Sequence, residues 1–382
     1  MEFSEIFSDI DSINKVKSIF ATFKKATFED FEINFKTSAD EFLLKLCSDQ
    51  SVCAEFFDSY FYQGEPRRLP FKSFSTSDLK QIEFVDKYVQ LEKRPFVDRQ
   101  LKHATKTGKI LFNGSIFAIN KIIDGKVFLG ETTYFDGMET SDVFYEKLVV
   151  AFGLSHLTRG QVDKAVIRSL LSNWLDKLTS INKGDFSSYH ALGAFSLGVF
   201  NRHAKGFSIH TKLASDKKFA GAGYNHVFPS GMLTTNFCDP SDTIGVSDFR
   251  LLVAKEYLEE VQNELELEKD SMSRALVEQK IFTILGKKIN KEVLNILLSD
   301  NKFQFCKIIV DGYRLRPEFI FLLEADGRVE YDLGWEIKSS NWIRFETEEN
   351  WRDFIAVHVN QYVPPGMATI ICAGEKVFGV EF

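Results

Sequence analysis

The chain has 382 residues, a formal net charge of −7, 44% apolar residues and 26% charged residues. Those proportions exclude a disordered chain, and no apolar run reaches the roughly 18 residues that a membrane helix needs. The acidic balance excludes a general nucleic-acid binder, which needs a basic stripe to release counterions from phosphates.

The start, Met1-Glu2-Phe3-Ser4-Glu5, has no basic segment leading into an apolar run, so a cytoplasmic protein is expected. Ile6, Ile10, Ile13, Val16 and Ile19 recur at helical spacing, and Ser38-Ala39-Asp40-Glu41 fits a helix start before Phe42, Leu43, Leu44 and Leu46. Gly64-Glu65-Pro66 breaks this pattern. Residues 1–107 therefore read as a mainly helical N-terminal region of unassigned role.

From residue 108 short apolar runs bounded by Gly or Asn predict strands at 109–112, 115–119 and 126–129, with a hairpin turn at Asp124-Gly125. A polar and aromatic stretch, Tyr134 to Thr140, leads into a helix at 141–151, and another helix is predicted at 160–182. Strands follow at 194–200, 206–213 and 225–228, then a long acidic helix at 248–268 and two helical pieces in 271–299. The tail alternates: strands at 307–310, 319–323 and 335–338, a helix near 348–361, and a last strand at Ala368-Thr369-Ile370-Ile371. The whole is mixed α+β without a regular βαβ rhythm. Five scattered cysteines contain no C-x-x-C pair, so buried free thiols are expected rather than a zinc site or a disulfide framework.

Chemistry concentrates at Pro229-Ser230-Gly231-Met232 and Lys255-Glu256-Tyr257-Leu258-Glu259-Glu260. On a helix, positions 256, 259 and 260 fall within an arc of roughly 100°. Three carboxylates so placed repel each other and call for a positive partner, for which Mg²⁺ or Mn²⁺ is a candidate. A dication there would clamp phosphate oxygens and lower the pKa of a bound water. The same pattern also suits a solvated acidic face, since the sequence continues with Glu264, Glu266 and Glu268.

The two motifs together resemble a Nudix box spanning 231–260, entered by the strand His226-Val227-Phe228. Gly231 matches the opening glycine, and Glu256, Tyr257, Glu259 and Glu260 match the core. Lys255 stands where the family has arginine, Asp248 lies near the place of its first glutamate, Gln262 replaces its closing glycine, and the loop between carries an insertion. The chain is most similar to a divergent bacterial group that includes domains accompanying nucleotide-signalling defence systems. Tyr134 to Thr140, Arg316-Pro317-Glu318 and Val363-Pro364-Pro365-Gly366 share in that likeness.

The resemblance implies a Nudix-like α/β/α sandwich with a mixed sheet over residues 108–382. It implies a Mg²⁺- or Mn²⁺-dependent hydrolase of a nucleoside diphosphate-linked substrate, with Glu256, Glu259 and Glu260 as metal ligands and Lys255 orienting them. Glu318 is the candidate base outside the box, and Glu336 a weaker one. Gly231, His226, Arg202 and Tyr134 are the candidate substrate contacts. A second class of function stays open: a non-catalytic module of the same fold that senses a nucleotide or docks a protein. The partners expected are a nucleotide-like small molecule and either a second copy or a defence-system protein, with no membrane.

Overall fold

A computed structural model of the chain describes residues 69–74, 81–108, 111, 113–145, 148, 151–152, 155, 164–215, 223–235, 246–262, 274–327 and 337–382. The helices expected before residue 63 and Glu336 lie outside these residues.

Among the described residues twelve strands form two sheets: β1 (Phe71–Phe74), β2 (Gln81–Phe84), β3 (Ser115–Ile123), β4 (Lys126–Thr133), β5 (Ala191–Leu192), β6 (Ala194–Arg202), β7 (Phe207–Ala214), β8 (Asn225–Val227), β9 (Ser230–Met232), β10 (Phe303–Asp311), β11 (Arg316–Glu324) and β12 (Ile337–Phe345). The larger sheet runs β1-β10-β11-β6-β7-β12, with β8 added to β7 and β9 to β6. The smaller runs β2-β4-β3-β5. Both sheets are mixed, since β11 pairs with β6 and β2 with β4 in parallel while the other pairs are antiparallel. The predicted hairpin joins β3 to β4, with Asp124 and Gly125 at φ 50° and 78°, the left-handed values its two-residue turn demands. The sheets meet where the Phe117 amide donates to Leu233 O at 2.7 Å and the Gly193 amide to Phe117 O at 2.9 Å. A Cβ on Gly193 would stand 2.7 Å from Leu233 Cδ1, so this seam needs glycine.

Among the described residues there are also seven longer helices: α1 (Pro95–Thr107), α2 (Lys164–Ile181), α3 (Val246–Gln262), α4 (Arg274–Lys287), α5 (Lys291–Leu298), α6 (Glu348–His358) and α7 (Pro364–Phe378). They make a three-layer arrangement around the large sheet. Strand alternation sends Phe319 and Phe321 of β11 to one face, against Phe249 of α3, and Ile320 and Leu322 to the other, into the core under α7. The mixed α+β class is as expected. Among the described residues no helix is long and apolar enough to cross a membrane.

Two local expectations are corrected. Residues 368–371, expected as a strand, lie inside α7. Pro364 and Pro365 occupy its first turn, where fixed φ and a missing N–H cost nothing, and a short apolar run does not distinguish a buried helix from a buried strand. Leu111 is outside any strand. Before residue 108 the described residues hold, besides α1, two short strands, β1 paired with β10 and β2 with β4. Four-residue edge strands leave too little alternation to be read from sequence.

Candidate functional site

Helix α3 carries the four box residues and is buried on nearly every side, with Phe249, Leu252, Val253, Tyr257, Leu258 and Val261 all in the core. The solvated-face alternative is thereby overturned: Glu259 and Glu260 are each 6% exposed. Burial of that kind requires charge compensation. Lys212 of β7, 1% exposed, donates from Nζ to both Glu260 carboxylate oxygens at 2.7 Å. The Ser230 amide of β9 donates to Glu260 Oε2 at 3.1 Å. Lys255 Nζ donates to Glu259 Oε2 at 2.8 Å and to Glu256 Oε1 at 3.3 Å. Gly231 lets the strand press on the helix, since a Cβ there would lie 2.8 Å from Glu256 Cδ. The structure thus brings Gly231, Lys255, Glu256, Glu259 and Glu260 together. His226 lies beside them on β8, opposite Lys212 in the ladder and next to Gly366 of α7.

The donor set was expected to hold Mg²⁺ or Mn²⁺, and as arranged it does not fit one. Hard dications take several oxygen lone pairs in near-octahedral order. Glu260 already gives its oxygens to an ammonium and an amide, and Glu259 is tied to a second ammonium. No group of three or more His, Cys, Asp or Glu among the described residues is placed to hold a metal ion. The positive partner that the three carboxylates called for is supplied by two lysines. His210, two residues before Lys212 on the same strand face, is wedged between Phe228 and Trp342 at 4.2 and 4.9 Å between ring centroids, and burial pulls its pKa down to about 3.

Glu318 does not join this group. It shares the strand parity of Ile320 and Leu322, which pack under α7, so the sheet stands between it and α3. There it accepts a very short hydrogen bond from the Ser196 hydroxyl, and burial raises its pKa to about 8. Arg316 and Asp311 lie close enough to act on it. Arg316 forks onto Asp142 at 3.1 and 2.5 Å and lies 5.6 Å from the Tyr134 ring centre. Arg314 stacks on Tyr145 at 4.4 Å. Asp311 is raised to about 6 by burial, against the lowering pull of Arg314 and two backbone amides. With Glu318 protonated, Asp142 and Asp311 balance Arg314 and Arg316. Tyr134 therefore belongs to this second, internally paired cluster rather than to the box.

Arg202 ends β6, six residues past Ser196 and so about 20 Å along the strand, where it meets Glu324 at 3.8 Å. The acidic residues of the 134–140 stretch act within the fold. Asp136 takes hydrogen bonds from Arg94 Nε, Thr133 Oγ1 and the Leu91 amide. Glu139 accepts the Phe96 and Val97 amides at 3.3 and 3.1 Å and so caps α1 from outside. Sequence reasoning missed Lys212, Ser196 and Asp142, and had Arg316 only as part of the likeness, with no role. The one available signal was the alternation in Ile209-His210-Thr211-Lys212-Leu213, which puts two basic side chains on one face of an apolar strand.

No protein-family model matches the chain, and no curated protein matches it. Among solved structures it is similar to a NUDIX hydrolase from Alicyclobacillus acidocaldarius, at 15% identity over 50% of this chain and 96% of that one, with a TM-score of 0.29. It is also similar to a bifunctional NMN adenylyltransferase/ADP ribose pyrophosphatase from Francisella tularensis, at 10% identity over 84% of this chain and 74% of that one, with a TM-score of 0.28. Likenesses this distant leave the chemistry to the site itself.

Proposed function

We propose that the chain is a Nudix-like module that binds a nucleotide-like ligand without catalysing its hydrolysis. The observation that carries this is the seat of Lys212. Its ammonium occupies both oxygens of Glu260 in a buried position, so the box closes on an internal cation. The candidate base Glu318 is on the far side of the sheet and paired with Ser196. The Gly231 turn pressed against Glu256 keeps the strand-to-helix approach of the box, which supports the family reading without requiring its chemistry. A second copy or a nucleotide-signalling defence protein is the partner proposed to read the bound state.

The Mg²⁺- or Mn²⁺-dependent hydrolase is the second reading, and one observation favours it. Glu256 is the least buried of the three carboxylates, 14% exposed, at the glycine turn. Calorimetric titration of the full chain with Mg²⁺ and with Mn²⁺, followed by phosphate release across ADP-ribose, nucleotide sugars, dinucleoside polyphosphates and NAD-like compounds, decides between them. The proposal expects no saturable dication binding, tight binding of one compound, and no turnover. Turnover that disappears in Glu259→Gln and Glu260→Gln would replace it with the hydrolase.

A further inference from the structure

Cys306 and Cys372 come together between β10 and α7. The ladder between β10 and β11 slips at Cys306, since Phe305 pairs with Phe321 and Lys307 already with Ile320. Such a bulge re-aims side chains. Phe305 remains on the α3 side with Phe319 and Phe321, whereas Cys306 packs into the core under α7 and Lys307 Nζ reaches Glu375 of α7 at 2.9 Å. Both thiols are free, Cys306 half-buried and Cys372 buried. Their side chains are hydrogen-bonded to each other, and that bond together with burial pushes the Cys372 thiol well above its ordinary pKa. Burial works to lower Lys307, yet Cys372, Glu375 and Cys306 hold it above its usual value, so a firm cation stands beside both sulfurs.

We infer that Cys306 and Cys372 are a redox-responsive pair that a peroxide-class oxidant joins into a disulfide, tying α7 to the bulge of β10. Cys306, the more accessible thiol, attacks as the thiolate. Its sulfur bonds to one peroxide oxygen, the O–O bond breaks, and the departing hydroxide takes a proton to leave as water. Cys306 is then a sulfenic acid. Cys372 loses its proton and attacks the Cys306 sulfur, the S–O bond breaks, and a second water leaves. The two thiols together give up two electrons and the peroxide accepts them. The pair stands apart from the box and independently of its reading.

The test is peptide mapping of the full chain treated with hydrogen peroxide and then alkylated. The expected product is a linked peptide pair containing Cys306 and Cys372, lighter by two hydrogens, cleaved by dithiothreitol and absent from Cys306→Ser. In Cys372→Ala the sulfenic acid on Cys306 persists and is trapped by dimedone. Recovery of both residues alkylated after oxidation, or of Cys306 over-oxidised while Cys372 is still alkylated, overturns the inference. The wild-type map decides this even where a variant fails to fold.

Discussion

Lys212 and Glu260 form a buried ion pair at 2.7 Å, in which each charge depends on the other. Taking one charge away leaves the other stranded in a dry site, a loss of about 3–5 kcal/mol. Lys212→Met is expected to lose about that much stability in urea melts, whereas Lys212→Met combined with Glu260→Leu recovers most of it, because an apolar pair of similar volume needs no compensation. Failure of the double variant to recover would mean that the pair contributes through something other than mutual neutralisation. Glu318 makes a second prediction. Folded, it keeps its proton up to about pH 8, against 4.5 for an ordinary glutamic acid. Between those values the folded chain binds more protons than the unfolded one, so stability falls as pH rises through that window. Glu318→Gln keeps a neutral hydrogen-bonding group and is expected to flatten the fall between about pH 6.5 and 8 in denaturation midpoints. Asp311, raised in the same direction to about 6, retains its own slope at lower pH in that variant.

At the scale of elements, α7 sits in an environment that tolerates little change. Gly374 packs so closely on α6 that a Cβ would lie 2.1 Å from Trp351 Cε2, and the Trp351 indole N–H donates to Ile370 O at 3.2 Å. Trp351 is fully buried and has nowhere to retreat. Gly374→Ala is expected to cost about 1–3 kcal/mol or more, seen as a lower melting temperature, despite alanine's better helix propensity. Gly231→Ala is a contrasting case. Its clash is with the carboxylate end of Glu256, which can swing away, so the fold is expected to persist and, on the proposed function, the ligand affinity of the box to change instead. Calorimetry and a melt on the same variant separate the two effects. The external cap on α1 predicts that Glu139→Ala costs about 0.5–2 kcal/mol, since it strips two helix amides of their acceptor.

For the molecule as a whole, the box and the second cluster lie on opposite sides of one strand pair. Ser196 and Ser230 are partners in the ladder of β6 and β9. The Ser196 hydroxyl serves Glu318 toward α7, and the Ser230 amide serves Glu260 toward α3. The central sheet therefore keeps two charged groups apart, each neutralised internally. The described residues before 108, 69–74 and 81–107, are integral to this body. Ile82 of β2 is in the main core and β1 extends the large sheet. A chain starting at residue 108 is expected to melt at a lower temperature and less cooperatively than the full chain, which circular dichroism would show; an unchanged melt would support a domain boundary there.

The sequence by itself determined the mixed class, most of the strands and helices of the second half, the Asp124-Gly125 hairpin, and the gathering of Glu256, Glu259 and Glu260 on one helix beside a glycine turn. Those features are local: periodicity, turn chemistry and helical spacing act within a few residues, and the chain carries them wherever it folds. Only the tertiary structure decided what those carboxylates face. Lys212 is 48 positions from Glu260, and their meeting depends on β7 and α3 packing face to face. It decided equally that Glu318 turns away from the box, because strand parity means nothing until the layer on each side is known. The run at 368–371 was legible as buried but not as helix, since burial under a sheet satisfies either geometry and the two prolines before it tip the balance. Local spacing shows which charges are neighbours along the chain, and long-range packing sets which opposite charge neutralises each of them.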